Sequence, residues 1–535
     1  METMEDNEML VSDDASVGNE NEAEEEIEES SDDNLDDDAP LNFFVARDGK
    51  TKWYPTRPPS KKDKVQMSHY PGVQNIAKDA FDPLDCWKLL FDNSFLEEIV
   101  RCTNKFILVN RDEKKKDMNE KYTDIAELRA LCGMLYMCSM YGNNFLSPAD
   151  LWRTDGTGIE IFSLTMSYTR FQFLSRSLNF DDIKTRPTRK EQDKLAQVRT
   201  MTEMFAQNCQ KVFSVSDLVS IKEKYEPFQG KCSFKQFLPN STKKYGIKFY
   251  TALDAIMFYM FNFEIEVPNQ IEGVHKDDNS PESVVLRLCE PVLKEGRTVI
   301  CDQPYCTPHL AKKLLSKHTY LVGRWDRHDQ AIPKHFASAK NWGSRKRVQV
   351  GYTEDVTLVA TLKKKSCLVT ASTRPDENPD ELNTFVTTVH DMVNRVTDSH
   401  DSINLNTAGT RWPMLVFYFV LNTAATNALI ISRCNGNDVS SRRDFIRDLS
   451  MSLCHDHLVA RLICESVPIT MKARIAKITK SQIPTVALEC PPTSRHRCQE
   501  CPSKKNRKTT NICKHCRKFL CIEHLVKICG SCYEQ

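Results

Sequence analysis

The sequence predicts a mixed α/β protein joined to an all-α region, with a zinc-binding domain at its C-terminal end. Three observations predict this fold class. Apolar residues recur at helical spacing between about residues 82 and 215, short β-rich runs follow between about 245 and 375, and cysteines in metal-ligand spacing occupy residues 498–532. A chain of 535 residues has room for three or four such units.

The helical prediction for the first region depends on a start signal and on the spacing that follows it. Asp124 and Glu127 form a capping pair, and apolar residues then recur every three or four positions at Ile125, Leu128, Leu131 or Cys132, and Leu135. This spacing predicts a helix that packs one apolar face against the core, and it does not indicate a cofactor site.

The clearest strand is the apolar run Thr298–Cys301, which ends at Asp302, and a helix is predicted after it over residues 307–315. Strand, carboxylate and helix in this order are one way in which α/β proteins present chemistry. An aspartate in this place is equally typical of an ordinary helix cap. Further strands are predicted over residues 249–253, 257–267, 319–323, 356–362 and 366–373.

A long apolar stretch follows residue 412. Pro413 opens a predicted helix that runs to about Ser432, with no charged residue after Met414, so the helix must be buried on all sides. Because the chain contains no run of 18 apolar residues, we expect neither a membrane span nor a membrane partner.

The two ends of the chain differ in charge. Residues 1–40 hold 18 of the 73 acidic residues and no basic residue, so the rest of the chain carries 18 more basic than acidic groups. We expect residues 1–40 to form a disordered acidic tail, and residues 41–81, with four prolines and a lysine-rich run, to form a linker. A basic body is typical of a protein with a nucleic-acid partner, and otherwise of a solvated surface.

The N-terminus lacks the basic and apolar segments of a secretory signal, so the 21 cysteines are expected as thiols or metal ligands. The last 38 residues contain eight metal-ligand candidates in four pairs of two-residue spacing: Cys498, Cys501, Cys513, Cys516, Cys521, His524, Cys529 and Cys532. Two tetrahedral, structural zinc ions are predicted. The order favours a cross-brace, in which the first and third pairs bind one ion; sequential pairing is the alternative.

A basic loop separates the first two ligand pairs, and its candidate DNA contacts are Lys504, Lys505, Arg507 and Lys508. Cations on such a loop neutralise backbone phosphates and release counterions. A nuclear-import signal and a solvated loop are the alternatives. A cross-brace zinc domain can also recognise a protein, such as a chromatin component.

Several motifs closely resemble the piggyBac transposase family. They stand in the family's order within residues 82–535, and the cysteine-rich segment follows them. The motifs are Glu226-Pro227-Phe228-Gln229-Gly230, residues 232–240, Lys244-Tyr245-Gly246-Ile247-Lys248, Cys301-Asp302, residues 310–315, Arg411-Trp412-Pro413-Met414, Phe417-Tyr418 and Asn427-Ala428.

The resemblance implies an RNase H-like α/β core with an insertion, flanked by a helical dimerisation and DNA-binding domain built from two segments. It implies a nuclear location with double-stranded DNA as partner, and it allows a homodimer. The boundaries are 1–40 for the acidic tail, 41–81 for the linker, 82–215 and 434–480 for the helical segments, 216–325 and 386–433 for the core, 326–385 for the β-rich insertion, 481–497 for a second linker and 498–535 for the zinc domain.

The family cuts and joins DNA with metal ions held by aspartates, and one of the four matching positions here keeps its carboxylate. Asp302 matches the second aspartate. Lys222 stands at the first position, and Asn394 and Thr397 stand at the third and fourth when counted back from Arg411. One carboxylate beside an ammonium cannot compensate two divalent ions. We therefore expect a transposable-element-derived DNA-binding protein that is not an enzyme and holds no catalytic magnesium.

Two alternatives stay open at this point. An active DNA transposase would need a shifted register that brings in Asp391 or Asp398 together with an inward-facing Glu223. The family's glycines before the third aspartate are replaced here by His390-Asp391 or by Asp391-Met392. The other alternative is a chromatin or protein-interaction module that uses the zinc domain.

Overall fold

The computed structural model describes residues 43–59, 70–111, 120–141, 148–238, 244–268, 278–338, 342, 347–363, 366–375, 378–399, 411–437, 441–483, 495–512 and 518–524. The predicted acidic tail lies outside these residues. So do four of the predicted zinc ligands, Cys513, Cys516, Cys529 and Cys532.

Helices dominate the first half of the described chain and return after the sheet. They are α1 (Pro83–Leu90), α2 (Asn93–Asn110), α3 (Ile125–Tyr141), α4 (Glu160–Thr165), α5 (Tyr168–Ser177), α6 (Arg186–Gln192), α7 (Arg199–Val212), α8 (Pro281–Leu288), α9 (Pro308–Ser316), α10 (Lys334–Ala337), α11 (Pro379–Ser399), α12 (Trp412–Cys434), α13 (Arg442–Ile463) and α14 (Ile469–Thr479).

The strands lie mostly between α7 and α11. They are β1 (Phe44–Val45), β2 (Lys52–Trp53), β3 (Gly72–Val73), β4 (Phe213–Ser214), β5 (Leu218–Pro227), β6 (Gln236–Phe237), β7 (Tyr245–Asp254), β8 (Met260–Ile265), β9 (Thr298–Cys301), β10 (Tyr320–Arg324), β11 (Val348–Tyr352), β12 (Thr357–Lys363), β13 (Ser366–Ser372), β14 (His496–Arg497) and β15 (Lys508–Thr509).

Nine strands within the described residues form one mixed sheet in the order β11-β12-β13-β10-β9-β5-β7-β6, and β8 also pairs with β7. The central strands β5, β9 and β10 are parallel, whereas β7 runs antiparallel to β5 and β8 runs antiparallel to β7. Strands β11 to β13, which come from the predicted insertion, continue this sheet because β13 pairs directly with β10. The insertion therefore extends the central sheet.

Helix α3 begins as predicted, because the Asp124 carboxylate accepts a hydrogen bond from the backbone N–H of Glu127 at 2.8 Å. The expected single apolar face is wrong, however, since every residue from Ala130 to Cys138 is buried. Helix α13 covers the other face of α3. A Cβ at Gly133 would lie 2.7 Å from the carbonyl oxygen of Ser450, so the close approach of the two helices requires glycine.

Helix α12 joins the sheet to the helical region. It is long and apolar enough to span a membrane, but 89% of its most apolar window is buried inside the protein. Phe419 stacks on Phe249 of β7 with ring centroids 4.2 Å apart. The Tyr136 hydroxyl on α3 donates to the Leu421 carbonyl at 2.7 Å. The helix therefore packs as the all-sided core helix that the sequence predicts.

The predicted linker over residues 41–81 is wrong for its described part. Strands β1 and β2 form a hairpin whose Trp53 is 1% exposed and donates from its indole nitrogen to the Ala331 carbonyl at 2.8 Å. Tyr54 bridges Tyr352 of β11 through backbone hydrogen bonds. Proline and lysine content suggested a linker, but the buried Trp53 and the backbone bridge of Tyr54 attach the hairpin to the extended sheet.

Candidate functional site

The parallel pairing of β5 and β9 places Lys222 beside Asp302. Ser220 of β5 pairs with Ile300 of β9. The residues two positions further along, Lys222 and Asp302, are therefore neighbours where β9 ends. Gly323 on the adjacent β10 permits this packing, because a Cβ there would lie 1.9 Å from the Cys301 carbonyl oxygen. The sequence-predicted Lys222 and Asp302 therefore belong to one site.

Two further side chains complete a cluster around Asp302. His390 of α11 is 4% exposed; its Nδ1 lies 2.7 Å from Lys222 Nζ and its Nε2 lies 3.3 Å from Asp302 Oδ1. Arg324, at the end of β10, places its Nε 3.8 Å from the same oxygen and donates to Thr387 on α11 at 3.3 Å. We call these four residues, Lys222, Asp302, Arg324 and His390, the Asp302 cluster.

The electrostatics of the Asp302 cluster follow from burial and from these contacts. Burial alone would raise the pKa of Asp302, but contacts with His390, Arg324 and Lys222 outweigh it and hold this pKa below its usual value. Burial also lowers the pKa of the Lys222 ammonium, and the nearby Asp302 carboxylate offsets this only in part. The cluster therefore holds an ionised carboxylate beside a lysine whose charged form is disfavoured.

Of the two other positions predicted from the sequence, Asn394 does not belong to this cluster. Asn394 lies on α11 and is exposed, one helical turn beyond His390, and Thr397 lies near the end of the same helix. The α11 side chain that reaches Asp302 is His390, which the sequence placed among the replaced glycines. A reading by helical turns could have suggested it, since residues four apart share a face.

Glu223 does not supply a second carboxylate to the Asp302 cluster. Successive residues of a strand point to opposite faces, so Glu223 faces away from Lys222. Its carboxylate pairs with Lys248 at 2.8 Å and accepts a hydrogen bond from the Tyr305 hydroxyl. These contacts fix Glu223 on the other face of the sheet.

The residues of the Asp302 cluster do not fit a pair of catalytic magnesium ions. Two divalent ions about 4 Å apart need several carboxylates to compensate four positive charges. Here one carboxylate, Asp302, already faces the cationic side chains of Lys222 and Arg324. Lys222 supplies no negative charge in either protonation state, and its ammonium form has no lone pair for a metal.

A second candidate site lies in the C-terminal segment. Cys498, Cys501, Cys521 and His524 place their ligand atoms within 4.8 Å of one another, and the three cysteines are buried. The His524 Nδ1 lies 3.4–3.6 Å from the three sulfur atoms, and the Sγ atoms of Cys501 and Cys521 are 3.7 Å apart. A disulfide is excluded for that sulfur pair, because it requires about 2.05 Å.

These separations fit a tetrahedral zinc ion. With Zn–S bonds of about 2.3 Å and a Zn–N bond of about 2.0–2.1 Å, the edges of the tetrahedron are about 3.8 Å between sulfurs and about 3.6 Å from sulfur to nitrogen. The four ligands are the first and third predicted pairs, which is the set that a cross-brace assigns to one ion. Sequential pairing would instead have joined Cys498 and Cys501 to ligands outside the described residues.

The cysteine thiols of this group differ in how readily they lose the proton that a metal replaces. Burial would raise the pKa of Cys498, but backbone amides of Cys521 and Glu500 and the His524 side chain outweigh it and lower this pKa to about 6. Burial and the neighbouring thiols raise the pKa of Cys501 to about 11. Burial would raise the pKa of Cys521 as well, but the backbone amide of Glu523 and the Cys501 and His524 side chains outweigh it and lower this pKa. The Cys501 thiol therefore depends most on the positive charge of a metal to lose its proton.

Comparison with known proteins identifies the family. A family model described as Transposase IS4 matches residues 82–429. A cryo-electron microscopy structure of piggyBac transposase in a synaptic complex with hairpin DNA is similar to this chain at 28% sequence identity and a TM-score of 0.72, over 87% of this chain and 100% of that chain. The chain belongs to the piggyBac-type transposase family.

In this piggyBac-type chain, the predicted DNA contacts of the basic loop are all exposed, whereas the described cysteines Cys498, Cys501 and Cys521 are buried. Strand β14 pairs with β15, which sets Arg497 opposite Lys508. Arg507 is not a free cation, because it forms an ion pair with Glu523. Lys504 and Lys505 lie on a short helical turn in the loop that connects β14 to β15. The hairpin therefore presents a basic surface that is partly neutralised at Arg507.

Proposed function

We propose that this piggyBac-type chain is a transposable-element-derived, nuclear DNA-binding protein that has lost metal-dependent transposase catalysis. The observation that carries the proposal is the Asp302 cluster, in which Lys222 and His390 stand 2.7 Å apart beside the one retained aspartate. The resemblance to the family places a metal-binding aspartate at the position of Lys222. One carboxylate beside two basic side chains does not compensate the charge of the two ions that this phosphodiester chemistry requires.

The proposal includes an RNase H-like core and a cross-brace domain with two structural zinc ions. The strand order β8-β7-β5-β9-β10, with two antiparallel pairings followed by two parallel pairings, supports the core assignment. The tetrahedral edges of the Cys498 group support the first zinc ion. Homodimerisation remains part of the proposal through the family alone.

Double-stranded DNA is the proposed partner. The similar transposase structure contains DNA, and residues 491–535 of this chain carry ten basic residues against three glutamates. Seven zinc-bound thiolates and two zinc ions would lower this excess by three charges and leave the segment basic. A basic surface of this kind binds phosphates with a strong dependence on salt. The lysine-rich run before residue 65 supports import into the nucleus.

Purified full-length protein is expected neither to nick nor to join DNA ends in Mg²⁺ or Mn²⁺. The physical reason is the charge of the Asp302 cluster, which leaves no position where a divalent ion finds several carboxylates. End-labelled duplexes resolved on denaturing gels measure both reactions. Metal-dependent cleavage that disappears in Asp302→Asn would contradict the proposal.

The structure also predicts the outcome of restoring the family aspartates. Lys222→Asp combined with Asn394→Asp and Thr397→Asp is expected to remain inactive, because His390 and Arg324 still contact Asp302. DNA cleavage by this triple variant would show that His390 and Arg324 do not prevent metal binding. The loss of catalysis would then be due to Lys222, Asn394 and Thr397 alone.

Replacing the four loop cations Lys504, Lys505, Arg507 and Lys508 with alanine is expected to weaken DNA binding and flatten its salt dependence. Each lost phosphate contact lowers the slope of log affinity against log salt by about 0.9. Because Arg507 is already paired with Glu523, we expect the slope to decrease by the amount that corresponds to about three phosphate contacts and not four. Fluorescence anisotropy of a labelled duplex at several salt concentrations measures the slope.

A control removes the same charge elsewhere on the surface. Four exposed lysines of the body, changed together to alanine, should alter the slope far less: Lys50, Lys78, Lys190 and Lys312. Unchanged affinity in the loop variant would oppose DNA contact by this loop and would favour recognition of a protein by the zinc domain.

A further inference from the structure

The Asp302 cluster contains buried polar atoms without a well-formed hydrogen bond. Four buried side-chain atoms that form no hydrogen bond of good geometry belong to it or adjoin it: Ser220 Oγ, Asp302 Oδ1, Arg324 Nε and His390 Nε2. Ser220 is fully buried two residues before Lys222, on the same face of β5. Most buried polar atoms in folded proteins are hydrogen-bonded, so such a concentration indicates a site for a further group.

Three members of the cluster stand in the order of a nucleophile, its base and the group that orients the base. Lys222 Nζ lies 2.7 Å from His390 Nδ1, and His390 Nε2 lies 3.3 Å from Asp302 Oδ1. In the tautomer with its proton on Nε2, the neutral imidazole of His390 presents the Nδ1 lone pair to the Lys222 amine, and Asp302 lies in contact with the opposite ring nitrogen. This arrangement is the general signature of covalent catalysis by an activated side chain.

The cluster is open to a substrate. The Asp302 side chain is 36% exposed, and Lys222 is half-buried. Burial of the amine disfavours its charged form, which leaves a larger neutral fraction with a free lone pair. Amines of this kind attack carbonyl carbons. The Arg324 guanidinium beside the amine can pair with a phosphate, so a carbonyl carried on a polyanion fits both groups.

We propose that Lys222 forms an imine with aldehyde-bearing DNA, of which an abasic deoxyribose is the simplest example. The proposal rests on the DNA binding proposed above, and it needs no metal. His390 accepts a proton from the Lys222 ammonium. The nitrogen lone pair then bonds to the C1′ aldehyde carbon, and the carbonyl oxygen leaves as water after gaining two protons, one of them from the nitrogen and the other returned by the imidazole.

Reductive trapping tests the proposal. Full-length protein is mixed with a duplex that contains one abasic site and with sodium cyanoborohydride, and the covalent adduct is counted on a denaturing gel and mapped by mass spectrometry. We expect the adduct at Lys222. Lys222→Arg keeps the charge but cannot form an imine, and it should reduce trapping at least roughly tenfold.

Lys224→Arg is the matched control. Lys224 lies on the same strand and the same face as Lys222, but its amine pairs with Glu226 at 3.1 Å. Trapping by this variant should stay within about twofold of the unchanged protein. An adduct that is spread over surface lysines and is undiminished in Lys222→Arg would overturn the proposal. Mapping the adduct in the unchanged protein gives the same answer even if Lys222→Arg does not fold.

A second probe separates this inference from DNA binding. Free 2-deoxyribose carries the same aldehyde and requires no DNA surface, so its adduct should also map first to Lys222. Preferential labelling there, together with no binding of intact duplex, would support the nucleophile and oppose the proposed function. Tight binding of intact duplex with no preference for Lys222 would do the reverse.

Discussion

Removing zinc is expected to unfold the C-terminal segment while the sheet and the helices around α12 stay folded. Among the described residues 495–512 and 518–524, the buried hydrophobic cluster consists of Cys498, Cys501, Leu520 and Cys521, and three of these four residues belong to the candidate metal site. Almost no apolar core therefore remains without the ion. Structural zinc supplies on the order of 10 kcal/mol of folding free energy in comparable peptides. Hydrogen exchange before and after chelation measures the loss.

The corresponding single substitution is His524→Ala, which leaves three thiols and no fourth ligand. His496→Ala is the matched control, since His496 is an exposed histidine of the same segment that stacks on Phe519 at 4.2 Å and lies outside the ligand group. We expect the first variant to lose protection across the segment and the second to keep its metal.

The metal count tests the paired sites. Two zinc ions per chain are expected by mass spectrometry of the native protein, and Co²⁺ substitution should show thiolate-to-cobalt charge transfer. A count of one, or a segment that stays protected after chelation, would contradict the two-ion cross-brace. The second outcome would also mean that the Leu520 core is stable by itself, against its small size.

Local signals predicted the strand and helix that position Asp302. The sequence placed a strand at Thr298–Cys301 and a helix over residues 307–315, and the structure has β9 at the same residues and α9 at Pro308–Ser316. The Thr307 hydroxyl caps α9 by accepting from the Leu310 N–H. Short apolar runs and caps are encoded by adjacent residues, so such boundaries can be read from the sequence.

The partners of Asp302 could not be read in this way. His390 and Arg324 come from α11 and β10, and their meeting depends on how a helix is rotated against strands far away in the chain. Spacing from Arg411 selected Asn394, one turn too far along α11. The composition of residues 41–81 misled for a related reason, because nothing near Trp53 in sequence indicates that the indole finds a buried place beside Ala331.

Arg170→Met is expected to lower the free energy of unfolding of the helical region by about 3–5 kcal/mol. Arg170 and Glu127 are 5% and 4% exposed and form two hydrogen bonds of 2.9 and 2.6 Å. The guanidinium also donates to the carbonyls of Lys121 and Tyr122. The substitution leaves the Glu127 carboxylate buried with one hydroxyl partner, Thr123. Denaturant unfolding measured by tryptophan fluorescence and hydrogen exchange of α3 reports the change.

The pH dependence of this pair has a definite sign. Burial would raise the pKa of Glu127, but Arg170 outweighs it and holds this pKa below the ordinary value of 4.5. A lowered carboxylate pKa gives stabilisation that is complete above the unfolded pKa and is lost as pH falls through the folded one. The stability difference between Arg170→Met and the unchanged protein should therefore be largest near neutral pH and shrink in acid.

Two variants decide whether the ion pair or merely the size of the side chain matters. Arg176→Met, on the same helix α5 but exposed, should change stability by no more than about 0.5 kcal/mol. Glu127→Leu combined with Arg170→Met removes both charges and should recover part of the loss, because no uncompensated carboxylate stays buried. If the double variant is as unstable as the sum of its single changes, the penalty arises from the lost contacts to Lys121 and Tyr122. The pair would then hold the loop before α3 in place, and it would contribute little through its own charge.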